Sequence, residues 1–187
     1  VEPLAVPDWT QASVAQAADL ITLRGAELLR RVGVVVYAGS LVNPALLDYV
    51  PEGCEVFDSA SMTLDEVLEK LVQGHGRGVT TVRLHTGDPS LYGAIREQMD
   101  ALRVRGIPFE VVPGVTSAVA APAWAGIPVT HRGLASSLHV VTAHSREGGL
   151  PDLDFEALAR LKGTLIFLMG VEGAPELCAR LMEAGMA

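Results

Sequence analysis

The sequence predicts an α/β protein built on a parallel or mixed sheet. Three observations predict it. VVVYA (34–38), short, β-branched and without alternation, reads as a buried strand, and the apolar run VTTVRL (79–84) reads as another strand. Segments of helical period stand between them, as in a chain that crosses over a sheet. Apolar residues make up 49 % of the 187 residues, enough to bury a core.

The elements follow in order. Residues up to about Asp19 have no clean period, and Pro3 and Pro7 interrupt them. From Thr22 a helix is expected, with Leu23, Ala26 and Leu29 on one stripe. Strand 34–38 follows, then Asn43-Pro44, an N-cap with proline at the first helical position. Residues 55–58 form a short strand candidate. Thr63-Leu-Asp-Glu66 is a capping-box signature, and the helix after it can end at Gly74. Strand 79–84, helix 91–105 and strand 109–112 come next. A small, apolar stretch (113–133) suggests a loop, a short helix from about Thr116, and a linker near Gly126-Ile127-Pro128. A second unit would contain strand 138–143, helix 155–161, strand 164–169 and helix 175–184.

The formal net charge is −8, and only Lys70 and Lys162 are lysines. An acidic chain without a lysine block is a poor candidate for nucleic-acid binding, which runs on phosphate neutralisation. Cys54 and Cys178 lie far apart without metal-ligand spacing, which fits a reduced compartment. No apolar run reaches membrane-spanning length and no signal-peptide pattern opens the chain, so a soluble cytoplasmic protein without membrane association is expected. His75, His85, His131, His139 and His144 do not pair at metal spacing, and no metal site is expected.

Two glycine turns carry the functional signal. In HTGDPSLYGA (85–94), at the end of a strand, Gly87 allows a positive φ and close approach of a ligand. Asp88 could cap the next helix, with Pro89 at its first position. Exposed amides there could hold a ligand carboxylate or carbonyl. Tyr92 could line a pocket, and His85 could contact a substrate. An ordinary capped turn would explain the same residues. There is no glycine-lysine pair of a P-loop and no G-x-S-x-G of a nucleophile elbow. The second turn, Pro113-Gly114-Val115-Thr116-Ser117, places two hydroxyls at a helix start, where they could cap or bind.

Together DLITLRGAELL (19–29), VVVYAGSLVNPALL (34–47), SASMTLDEV (59–67), TVRLHTGDPSLYGAI (81–95) and VPGVTSAVAA (112–121) resemble the tetrapyrrole (corrin/porphyrin) methyltransferases. AGSLV followed by HTGDPSLYGAIREQM looks most like the precorrin-4 or cobalt-precorrin-4 C-11 methyltransferases. AGIPVTHRGLASSLHVVTAH (125–144) and FLMG (167–170) look more like uroporphyrinogen-III C-methyltransferases.

The resemblance implies two α/β domains, 1–113 on the tetrapyrrole side and 114–187, the latter incomplete. It implies S-adenosylmethionine as cosubstrate, no metal, a tetrapyrrole substrate and a homodimer. Carried over by position, Thr86, Gly87, Asp88, Leu91, Thr116, Ser117 and Met169 would line the cofactor. Arg83 and Arg132 could grip substrate carboxylates. The implied reaction is methyl transfer from a sulfonium to a nucleophilic ring carbon, in which the protein aligns and desolvates. No catalytic base is named by the resemblance. One departure stands out: the family's glycine-proline loop before DLIT is replaced by ASVAQAA. A non-catalytic relative that only binds ligand is the alternative this departure raises.

Overall fold

The computed structural model describes residues 17–145 and 148–186. The chain divides into two compact units, through Thr116 and from Ser117.

The first unit centres on β1 (Val34–Tyr37). Parallel β2 (Glu55–Asp58) and β3 (Thr81–Leu84) flank it in the order β2-β1-β3. Val36 stands opposite Phe57 on one side and Arg83 on the other. The alternation of side chains along a strand sends Val35 to one face and Val36 to the other. Val35 packs with Leu29 of α1 (Leu23–Leu29) and with Val32. Val36 packs with Val67 and Leu71 of α2 (Leu64–Gly76). Cover on both faces explains why β1 reads as an unbroken apolar run.

Local signals set the helix starts. Thr22 Oγ1 accepts from Gly25 N–H and caps α1. Thr63 and Glu66 form the expected capping box at α2, which runs two residues past Gly74 and takes in His75. Asn43 caps a 3₁₀ helix (Pro44–Tyr49).

Two expectations fail in this unit. The helix expected from Leu91 begins only at Ile95, as α3 (Ile95–Val104). Tyr92 and Ala94 hold left-handed φ of 56° and 48°, which an α-helix excludes. Asp88 therefore caps no helix. Residues 109–112 form no strand, and among the described residues their backbone finds no ladder partner. The irregular stretch before Ala17 lies outside the described residues.

The second unit pairs β4 (Leu138–Thr142) in parallel with β5 (Thr164–Leu168). A short helix, α4 (Ser117–Trp124), opens the unit. Phe155 of α5 (Phe155–Arg160) and Leu177 and Leu181 of α6 (Ala174–Glu183) form its buried core against Leu165 and Phe167.

Candidate functional site

The site is built at the carboxyl end of β3, where ligands of open parallel sheets bind. His85 leaves the strand, and residues 86–94 form a run of tight turns. Gly87 holds φ +67°, a region that side chains rarely adopt. The second glycine turn, 113–116, lies directly against it. A Cβ on Gly114 would stand 2.0 Å from the Gly87 carbonyl oxygen, so backbone meets backbone there.

Asp88 joins the two turns. Its Oδ2 accepts from Gly114 N–H at 3.0 Å. Its Oδ1 accepts from Ser90 N–H at 2.8 Å and also from the Ser90 hydroxyl. These hydrogen bonds, from the Ser90 hydroxyl first and from Gly114 next, hold its carboxyl below the usual carboxylate range. The sequence suggested Asp88 as a helix cap; the structure makes it a clasp between turns 26 positions apart.

The other residues of the turn are also tied down. Thr86 Oγ1 donates to the Leu41 carbonyl at 2.7 Å, which fixes the turn to the segment after β1. Leu91 N–H donates to the Asp88 carbonyl at 3.2 Å. Tyr92 is 46 % exposed on its left-handed backbone. Such strain costs about 1–3 kcal/mol per residue and collects at functional turns.

Beneath the turn, Arg83 is half-buried. Its Nη1 donates to the Val36 carbonyl at 3.2 Å. Its Nε is buried with no hydrogen-bond partner among the described residues. Burial lowers the Arg83 pKa from its ordinary value. Burial, and then the Arg83 charge, push His85 down to about 4, so its imidazole is neutral at neutral pH. His85 can therefore act there as a neutral donor or acceptor.

The first unit thus brings together Arg83, His85, Thr86, Gly87, Asp88, Leu91, Tyr92 and Thr116. Ser117, Arg132 and Met169 belong to the second unit. Ser117 opens α4. Met169 follows β5, half-exposed, with a left-handed φ of 60°. Arg132 is exposed in the turn closed by the His131–Ala135 bridge. Sequence reasoning missed Gly114 as the clasp's donor and Leu41 as the anchor for Thr86. Only the motif order, GDPSLYG before PGVTSA, hinted that the turns meet. Among the described residues no group of three His, Cys, Asp or Glu is placed to hold a metal ion. No helix among them is long and apolar enough to cross a membrane.

The family profile "Tetrapyrrole (Corrin/Porphyrin) Methylases" matches residues 16–187. The chain is 42 % identical over 173 residues to the uroporphyrinogen-III C-methyltransferase of Bacillus subtilis, across 89 % of this chain and 36 % of that protein. It is 36 % identical over 168 residues to the cobalt-precorrin-4 C(11)-methyltransferase of Methanocaldococcus jannaschii, across 89 % of this chain and 64 % of that protein. The chain therefore spans between about a third and two thirds of the length of these relatives. Among solved structures, a cobalt precorrin-4 methyltransferase superposes with TM-score 0.84 at 36 % identity, covering 91 % of this chain and 71 % of that one. A uroporphyrin-III C-methyltransferase of Thermus thermophilus, solved with S-adenosylhomocysteine, superposes with TM-score 0.71 at 36 % identity, covering 90 % of this chain and 68 % of that one.

Proposed function

This chain belongs to the tetrapyrrole (corrin/porphyrin) methylase family, and we propose that it binds S-adenosylmethionine and serves its transfer of a methyl group to C-11 of precorrin-4. The observation that carries this reading is the pair of glycine turns clasped by Asp88 at the carboxyl end of β3. The turns suit such a ligand. Gly87 carries no Cβ on its left-handed backbone, and the second turn lies against it at Val115 and Thr116, so the main chain of both turns is gathered at one place for a ligand to meet.

In this reading Thr86, Gly87, Asp88, Leu91 and Thr116, all of the first unit, line the cofactor. The sulfonium of S-adenosylmethionine supplies an electrophilic methyl; the C–S electron pair stays on sulfur as the new carbon–carbon bond forms. The chain's part is to align the donor and keep water out. In this reading Arg83, in β3 beneath the turn, is the partner of a substrate carboxylate. His85 is neutral at working pH and offers a hydrogen bond without adding charge. Tyr92 is the further substrate contact of this reading. A homodimer in the cytoplasm completes it.

Two observations favour precorrin-4: the AGSLV and HTGDPSLYG segments, and the TM-score of 0.84 with a cobalt precorrin-4 methyltransferase. The 42 % identity to a uroporphyrinogen-III enzyme supports a second substrate, uroporphyrinogen III. Purified protein with labelled S-adenosylmethionine and each tetrapyrrole in turn separates the two. Label transferred to precorrin-4 supports the first reading, and label on uroporphyrinogen III alone supports the second. Cofactor binding without transfer to either would mark a chain that binds but does not catalyse.

A further inference from the structure

The segment that delivers the second glycine turn is fixed in an unusual way. Among the described residues, the backbone of Phe109–Val112 makes no hydrogen bond. Side chains hold the segment instead. Arg24 Nε and Nη2 donate to the two carboxylate oxygens of Glu110 at 3.0 and 2.9 Å. Thr22 Oγ1, at the cap of α1, donates to the Pro113 carbonyl at 3.3 Å. The Arg103 guanidinium lies 5.3 Å from the centre of the Phe109 ring. One residue beyond Pro113 is Gly114, whose N–H meets Asp88.

A surface ion pair ordinarily contributes little, because solvent screens it and two long side chains lose freedom. Here the pair is bidentate, which fixes direction as well as distance. It also acts on a segment that no ladder among the described residues positions. From this we infer that Arg24, Glu110 and Thr22 are positioning residues for the cofactor: they set the second turn through α1, and Asp88 then locks it to the first. None of them has to touch the ligand. The inference rests on the reading of the two turns as the cofactor cradle, and it adds the residues that govern affinity from outside that cradle.

The test compares the wild-type chain, Glu110→Gln, Arg24→Gln and the exchanged pair R24E/E110R. Affinity for S-adenosylhomocysteine is read by titration calorimetry, thermal midpoint by circular dichroism, and amide exchange at Gly114 by NMR. Each single variant should bind about five-fold more weakly, exchange Gly114 faster, and keep the wild-type midpoint. The exchanged pair should recover most of the affinity. Single variants with wild-type affinity, or an exchanged pair no better than the singles, would overturn the inference. A wild-type chain that binds no S-adenosylhomocysteine would defeat the proposed function instead. Exchange at Gly114 would then still decide the brace, and unchanged exchange in both singles would end it.

Discussion

Replacing Gly114 with alanine should separate the two turns and cost both stability and cofactor affinity. The added Cβ would stand 2.0 Å from the Gly87 oxygen, 2.9 Å from its carbonyl carbon and 3.3 Å from Asp88 Cα. Real Cβ contacts essentially never fall below 3.0 Å, so the turns must part by about 1 Å or more. Moving apart in that direction stretches the 3.0 Å bond from Gly114 N–H to Asp88 toward 4 Å, beyond a hydrogen bond. Overpacking of this kind costs about 1–3 kcal/mol. Loss of a hydrogen bond to a charged group costs about 1.5–3 kcal/mol. The two arise from one displacement and do not add, so the total should be about 2–4 kcal/mol. Urea unfolding should show a lower midpoint at unchanged slope. Titration with S-adenosylhomocysteine should show affinity weaker by about 30- to 700-fold if the whole cost falls on binding, at 1.4 kcal/mol per decade. A Gly114→Ala protein with wild-type midpoint and affinity would refute the backbone-on-backbone contact and the cradle built on it.

Three further outcomes follow from the same geometry. Asp88→Asn turns one accepting oxygen into a donor that faces a donor, either Gly114 N–H or Ser90 N–H. It should cost about 1.5–3 kcal/mol in urea unfolding, and Asp88→Asn as stable as the parent would remove the clasp. His85 is depressed from 6.5 to about 4, so the unfolded chain binds its proton first. Stability should be full above pH 6.5 and fall as pH drops from there toward 4. His85→Gln should flatten that slope by about 1–2 kcal/mol, a value discounted for the partial exposure of the ring; an unchanged slope counts against a buried neutral imidazole. Gly76, the last residue of α2, has nothing within 4 Å of an added Cβ and no positive φ. Gly76→Ala should therefore raise stability by about 0.4–1 kcal/mol without changing affinity, which checks that the Gly114 effect is positional.

What the sequence revealed was local. Val34–Val36 announced a strand covered on both faces because its whole environment is apolar. Thr63 and Glu66 announced a helix start because a capping box closes within three residues. Asn43-Pro44 did the same. The late start of α3 was hidden, since Tyr92 and Ala94 are not residues one assigns to left-handed backbone. Phe109–Val112 has strand-like residues, yet a strand needs a partner, and no local pattern reports whether one is present. In the site, glycine and aspartate marked the turn correctly. Their partners were illegible because Thr86 reaches Leu41 across 45 positions and Arg24 reaches Glu110 across 86.

The clasp at Asp88 also closes a circuit of chain. It ties residue 88 to residue 114, and α3 with its connector to Pro113 hangs between them. No residue of α3 is fully buried. In a closed circuit the entropy of joining the ends depends only on the logarithm of its length, about 0.6 kcal/mol for each doubling. Once both ends are pinned, the contour between them is nearly free to vary. Insertions and deletions among relatives should therefore gather near Arg105–Pro108, while the spacing within each pinned turn stays fixed.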